Sequence, residues 1–341
     1  MTTPVVQDLV SVIIPVRNRA QWLQEAADSV LLQTHPLVEV LVCDDGSTDG
    51  TERAADEMAA CHPEKIRVLH LPPRGAGAAR EAGRLAARGE FIQYLDSDDL
   101  LLPEKFRLQI AALRARPDCE IAYGITRLVD EQGRILEDPY KWSGREIPHL
   151  FPSLLVDRWW NTHTPLYCRS ICDRIGSWSD LRYSQDWEYD ARAGALNVKL
   201  AFVNQPVCHM RKHSGQRQTG KYWLTPTDQL RFFNTLFRCA LAAGVDESAP
   251  EMRHFARWVF AKARQAAQLG ESAVAADLLS LAEEAAPSMT SFRRYRRWSQ
   301  LLGWRRVAVA SEWLRRATRR PFSHDTMRQS WMGPAESEQK T

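Results

Sequence analysis

Four short apolar runs alternate with three helical stretches in the first hundred residues, and this alternation constrains the fold more than any other feature of the chain. Val10-Ser11-Val12-Ile13-Ile14-Pro15-Val16 is β-branched and closed by proline, a buried strand by composition. Trp22, Leu23, Ala26, Val30 and Leu31 then recur at helical spacing, up to Pro36. Residues 38–43 (VEVLVC) are a second buried strand, followed by a turn and a helix, and residues 66–71 (IRVLHL) are a third. Gly75-Ala76-Gly77-Ala78-Ala79-Arg80 opens a helix ending near Gly89, and Phe91-Ile92-Gln93-Tyr94-Leu95 is the fourth strand. Such alternation predicts an α/β fold with a mostly parallel sheet flanked by helices. In open sheets of this kind ligands bind beyond the carboxyl ends of the strands. Three of those ends carry polar or acidic residues, namely Arg17-Asn18-Arg19, Asp44-Asp45 and Asp96.

The fourth strand runs directly into Asp96-Ser97-Asp98-Asp99. Asp96 and Asp98 are two apart, so on an extended backbone they project to one side. Two hard oxygen ligands there suit Mg²⁺ or Mn²⁺ and leave positions open for a diphosphate. The competing reading is an acidic helix cap, with Asp99 as the cap residue, because Pro103 soon opens a helix. A dinucleotide-binding sheet is the alternative for the whole region. Its glycine fingerprint belongs after the first strand, where this chain has Pro15-Val16-Arg17-Asn18, and the partial match at residues 75–80 lacks the last glycine.

Composition narrows the class. The 341 residues suit two or three domains or one large domain with an appendage. No apolar run approaches the ~18–20 residues of a membrane-spanning helix, and Met1-Thr2-Thr3-Pro4 does not read as a secretory leader. Seven scattered cysteines without a CxxC pair read as reduced thiols, hence a cytoplasmic protein. Residues 251–341 hold 16 Lys+Arg against 9 Asp+Glu, whereas the first 250 hold 29 against 33. The basic excess lies in the tail, which argues against a nucleic-acid-binding core.

The segments SVIIPVRN, VLVCDDGSTDGT, GAGAARE and GEFIQYLDSDDLLLPEK, in that order over about residues 10–105, resemble the nucleotide-sugar-binding motifs of family 2 glycosyltransferases with the GT-A fold. The resemblance implies that Pro15 and Arg17 lie beside the nucleoside. It implies that Asp45, with Asp44 beside it, contacts the base and that Arg80 reaches the base or the diphosphate. Asp96 would hold the ribose or metal side, and Asp98 would ligate the Mn²⁺ or Mg²⁺. Glu81 stands where the family often has Asn. Without the family pattern Asp49 reads as a turn or cap residue and Arg80 as a surface helix residue.

Residues 121–136 read as a hairpin with a glycine turn at Gly133. Residues 138–165 have no clear period and read as loops with a short helix. Trp159-Trp160-Asn161-Thr162-His163 there reads as the lining of an acceptor pocket, with core packing the alternative for either Trp. Ser184-Gln185-Asp186-Trp187-Glu188-Tyr189-Asp190 resembles the family's Glu-Asp-Trp segment, with Gln185 in place of Glu, and the resemblance gives Asp186 the role of catalytic base. Asp190 lies on the same helix face and reads as a salt-bridge or cap residue. Residues 200–203 form a late strand. Cys208-His209-Met210-Arg211-Lys212-His213 resembles a basic segment near the diphosphate in similar family members, which makes Arg211 a diphosphate contact and His213 either a further metal ligand or a structural histidine. Residues 215–220 read as a flexible loop able to close over the donor.

From Thr225 the pattern is helical. Between Phe292 and Arg320 ten arginines interleave with Tyr295, Trp298, Trp304, Val307, Trp313 and Leu314. Such helices suit an anionic membrane surface, at the inner face of the plasma membrane, or else pack on the catalytic domain or a partner. The expected organisation is a GT-A catalytic domain over residues 8–222, a helical extension over 223–322 and a disordered tail over 323–341. The expected activity is inverting, metal-dependent transfer of a sugar from a nucleoside diphosphate donor, UDP above all. The acceptor is a hydroxyl of a saccharide, a lipid-linked saccharide or a protein. A nucleotidyltransferase and a nucleotide-sugar-binding scaffold without turnover are the alternatives.

Overall fold

The structure, a computed structural model, describes residues 4–213 and 225–317. The chain divides into two compact units, one spanning Met1–Leu150 and Arg158–Lys221, the other Phe151–Asp157 and Tyr222–Thr341. The short segment 151–157, within the stretch read from the sequence as loops with a short helix, therefore groups with the helices of the second unit.

In the first unit the alternation is realised as β1 (Val6–Val16), α1 (Ala20–Leu31), β2 (Val38–Asp44), α2 (Thr51–Cys61), β3 (Ile66–His70), α3 (Ala76–Ala86) and β4 (Gly89–Tyr94). These four strands pair in parallel in the order β3-β2-β1-β4. Val10, Val12, Ile14, Val40, Val42 and Phe91 are buried in one core, as expected of strands covered on both faces. The register aligns the functional ends. Val16 lies opposite Asp44, Ile13 opposite Tyr94, and the Leu95 amide donates to the Ile13 carbonyl at 3.0 Å. Residues just past the ends of β1, β2 and β4 thus share one edge. Gly83 lets α3 lie close on this sheet, since a Cβ there would meet Ile13 Cγ2 at 2.4 Å.

The sheet continues through β5 (Leu100–Leu101), α4 (Lys105–Ala115), β6 (Cys119–Val129), β7 (Ile135–Glu137), β8 (Leu166–Cys168), α5 (Arg169–Ile175), α6 (Gln185–Ala195) and β9 (Lys199–Arg211). β8 runs antiparallel to both β4 and β6, β9 runs parallel to β6, and β5 and β7 are antiparallel additions at β9 and β6. The parallel half ends at β4, and the other half is mixed. β6 and β7 form the expected hairpin. β9 is longer than the expected strand at 200–203. It crosses Pro206 by a register shift, with Gly124 opposite Val203 and Ile125 opposite Pro206. A bulge absorbs the missing proline donor and carries the basic segment onto the sheet.

The second unit contains α7 (Pro226–Ala242), α8 (Pro250–Gln268), α9 (Ser272–Ala285), α10 (Thr290–Leu302) and α11 (Trp304–Ala317). Pro226 occupies the first turn of α7, and the Thr225 hydroxyl caps it by accepting from the Asp228 amide at 3.1 Å. Aromatic contacts hold the bundle, with Phe233 on Trp258 at 4.7 Å and Phe260 on Phe292 at 4.8 Å. Among the described residues no helix is long and apolar enough to cross a membrane. The loop at 215–220 and the tail at 323–341 lie outside the described residues.

Candidate active site

A cavity of about 210 Å³ opens at the strand-end edge of the first unit. It brings together Pro15, Arg17, Asp45, Arg80, Asp96, Asp98, Asp186, Arg211 and His213. Of the expected site residues only Asp44 does not line it. Its carboxylate is buried and accepts from the Ser47 amide at 3.1 Å and from the Ser47 hydroxyl at 2.5 Å, which closes the turn after β2.

Asp45 ties two elements together. One carboxylate oxygen accepts from the Arg74 amide at 2.7 Å, and both accept from the Gly75 amide at 3.0 Å, so β2 holds the start of α3. Gly75, at φ +94°, supplies the left-handed backbone that this entry to the helix needs. Arg17 approaches Asp45 at 3.8 Å from the loop after β1. Arg80, on α3, reaches Asp96 at 2.6 Å and lies 4.9 Å from the Trp178 ring. Glu81 does not face the cavity; it pairs with Arg84 at 2.8 Å and accepts from the Trp178 amide at 3.2 Å.

The acidic segment splits into three roles. Asp98 Oδ2 accepts from Arg19 and lies against His213 Nε2, each at 2.9 Å. Asp99 is not a helix cap, because α4 begins at Lys105 with Glu104 before it. Asp99 is buried and accepts from the Arg211 amide at 2.9 Å, with His163 Nδ1 at 2.9 Å on the other side. Burial pushes the Asp99 carboxyl up and His163 opposes that push. The pair thereby clamps the end of β9 to the acidic turn. Arg211 extends over the Trp22 ring at 4.3 Å to Glu25 at 2.6 Å, and Trp22 also packs on His213 at 5.4 Å.

Asp186 stands in the first turn of α6, delivered there by Ser184 at φ +60°. Its side chain is 31% exposed, reachable from the cavity. Arg158 donates to it at 2.6 Å and the Thr162 hydroxyl at 3.1 Å. Burial raises its pKa, but the charges of Arg158 and Arg80 outweigh this and hold the carboxyl below its ordinary range. Asp190 is the structural residue that its spacing implied, buried against Arg158 at 2.6 Å. Trp160 is fully buried and donates to Asp190 at 3.1 Å, and Trp159 packs on Trp142 at 4.5 Å, so both belong to the core and not to an acceptor pocket.

Arg19 and Arg158 complete the site without having been expected, whereas Thr162 and His163 belong to the segment read as a candidate acceptor lining. Arg19 was visible only as part of a polar turn, and Arg158 lies in the stretch that has no periodicity. As for a metal, Asp98 and His213 place a carboxylate oxygen and an imidazole nitrogen in contact, and the remaining nitrogen of buried His213 has no hydrogen-bond partner. The carboxylate oxygen suits Mg²⁺ or Mn²⁺, whereas the imidazole nitrogen is a softer ligand than Mg²⁺ takes. Among the described residues no group of three His, Cys, Asp or Glu side chains forms a metal cluster.

A parallel α/β half with an acidic turn at the end of β4, a basic opposite wall and a helical second unit is the architecture of GT-A glycosyltransferases. Residues 11–172 match the family model described as glycosyl transferase family 2, and this region of the chain belongs to that family. An uncharacterized glycosyltransferase of Rickettsia felis is 37% identical over 147 residues, which cover 43% of this chain and 23% of that protein. The chondroitin synthase of Escherichia coli is 35% identical over 134 residues, covering 39% of this chain and 19% of that protein. Matches of this kind span under a quarter of those relatives' length. An uncharacterized glycosyltransferase of Rickettsia typhi is 36% identical over 215 residues, 61% of this chain and 65% of that protein. In overall fold the chain is similar to residues 1–349 of S. aureus TarS in complex with UDP-GlcNAc, with a TM-score of 0.68 and 19% identity over 91% of this chain and 92% of that one.

Proposed function

We propose that the chain transfers a sugar from a UDP-linked donor to an acceptor hydroxyl with inversion, assisted by Mn²⁺ or Mg²⁺. The observation that carries this reading is one cavity in which five arginines and His213 lie with the Asp96-Asp98 turn, with a reachable carboxylate, Asp186, in the same lining. Cations on that scale suit a diphosphate. The UDP class is favoured because the S. aureus TarS complexes hold UDP and UDP-GlcNAc.

In this mechanism Asp186 accepts the proton of the acceptor hydroxyl as its oxygen forms the bond to the anomeric carbon. The bond from that carbon to the diphosphate oxygen breaks, and the electron pair leaves with the nucleoside diphosphate. Arg19, Arg80 and Arg211 stabilise the negative charge that develops there. Asp98 and His213, with Asp96 beside them, would hold the divalent ion, which supplies Lewis-acid stabilisation of the leaving diphosphate. A retaining double displacement needs a second carboxylate placed as nucleophile. Asp190, four residues on, is buried behind Arg158 and does not fill that place.

The same reading seats the enzyme on an anionic membrane face through α10 and α11. Trp298, Leu301, Leu302, Val309, Trp313 and Leu314 are exposed on these helices. Arg294, Arg297, Arg305 and Arg306 lie among them and make no ion pair with described residues. Aromatic and aliphatic side chains beside unpaired arginines match the headgroup region of such a surface. Calorimetric titration of a UDP-sugar panel with and without Mn²⁺, followed by detection of the released UDP, tests the proposed activity. Absence of binding by every member would overturn it.

A further inference from the structure

We infer that Arg158 is a positioning residue that aims the Asp186 carboxylate at the acceptor, with Asp190 as the anchor behind it. The inference rests on Asp186 being the base.

The geometry is a relay of three charges. Arg158 Nε donates to Asp190 Oδ2 and Arg158 NH1 to Asp186 Oδ2, both at 2.6 Å. A guanidinium is planar, so fixing one edge fixes the other. Asp190 is fully buried and is itself held by the Tyr167 hydroxyl at 2.8 Å and the Trp160 indole at 3.1 Å. Behind Asp186 there is thus a rigid wall and not a solvated salt bridge. On Asp186, Oδ2 is occupied by Arg158 and by the Thr162 hydroxyl, which lies 3.1 Å away. Oδ1 takes the Trp187 amide at 2.9 Å, which leaves its other lone pair for an incoming hydroxyl. A lysine cannot reproduce this arrangement, because its ammonium has no fork to span two carboxylates.

The same contacts set the protonation of the base. The charged groups around Asp186 are Arg158 from the loop before β8, Arg80 from α3, Arg182 on the cavity wall, and Asp190 and Glu188 on α6 itself. Tyr167 of β8 faces Arg158 and Asp190. Glu188 is paired with Arg192 at 2.8 Å. Arg158 is the nearest cation, so its removal lets the acid form of Asp186 persist to higher pH.

The test compares wild type, Arg158→Lys, Arg158→Gln combined with Asp190→Asn, and Asp186→Asn. The double variant removes one buried charge of each sign and so keeps the interior balanced. The readouts are UDP affinity by calorimetry and the pH profile of UDP release from the most active member of a UDP-sugar panel, with water as acceptor. Arg158→Lys is expected to bind UDP normally and to turn over about 10- to 100-fold more slowly, the effect of a base displaced from its line of attack. The double variant is expected to move the acidic limb of the profile to higher pH. Wild-type turnover in Arg158→Lys with an unmoved acidic limb in the double variant would overturn the positioning role. Wild-type turnover in Asp186→Asn would overturn the base assignment instead.

Discussion

Replacing Asp190 by Asn is expected to damage stability far more than its distance from the reacting atoms implies. Asp190 is fully buried and accepts three hydrogen bonds, from Arg158 at 2.6 Å, Tyr167 at 2.8 Å and Trp160 at 3.1 Å. An Asn carries only one acceptor oxygen, so its amide nitrogen must face either the Tyr167 hydroxyl, or Arg158 Nε and the Trp160 indole together. The substitution also takes from the buried Arg158 a fully buried carboxylate partner, whereas Asp186 is partly exposed. Breaking a buried pair by neutralising one member costs about 3–5 kcal/mol. For a unit of this size that corresponds to a loss in Tm on the order of 10 °C. Thermal denaturation followed by circular dichroism reads this directly. Adding Arg158→Gln should recover part of the loss, because the uncompensated cation is gone. A Tm within about 2 °C of wild type for Asp190→Asn alone would refute the reasoning, since no buried ionic anchor loses its charge at that small a cost.

Asp98→Ala should abolish the dependence of UDP affinity on Mn²⁺ while leaving metal-free affinity equal or higher, because Arg19 and His213 each lose the carboxylate they contact at 2.9 Å and become available to the diphosphate. Titrations with and without chelator that still differ as in wild type would exclude Asp98 as the ligand. Arg305→Ala with Arg306→Ala should weaken binding to anionic vesicles by roughly 30-fold at low salt, at about 1 kcal/mol per arginine, with no change on neutral vesicles. Equal co-sedimentation of the variant and wild type would remove the membrane role of α11.

The fold of residues 6–94 was legible because each element announces itself locally. β1 and β2 are β-branched runs ended by proline or aspartate, the helices between them carry apolar residues at helical spacing, and parallel pairing follows from the alternation. Part of the cavity lining was legible for the same reason, since residues after three strand ends must meet at one edge, while Arg80, Asp186, Arg211 and His213 were expected only through the family resemblance. What failed did so through long-range partners. Asp99 precedes Pro103 and so resembles a cap, yet His163 and the Arg211 amide, distant in sequence, bury it. Asn204, Gln205 and Pro206 look like the end of a strand, and only pairing with β6 carries β9 past them through a bulge. Arg158 lies in a stretch with neither period nor motif. Its role exists only once α6 brings Asp186 and Asp190 to it, so no local signal was available to find it.

The central claim is that one carboxylate, Asp186, takes the acceptor proton in a pocket whose donor site is built by other residues. Turnover of Asp186→Asn, measured beside its UDP-sugar affinity, tests it most directly. Asn keeps the shape of the side chain and one acceptor oxygen but does not accept a proton at neutral pH. The account predicts affinity near that of wild type, because Asp45, Arg80 and Asp98, the proposed donor contacts, line the cavity from other elements, and a transfer rate lower by about 10²- to 10⁴-fold. Transfer at close to the wild-type rate would contradict it and would require another carboxylate of the cavity as the base.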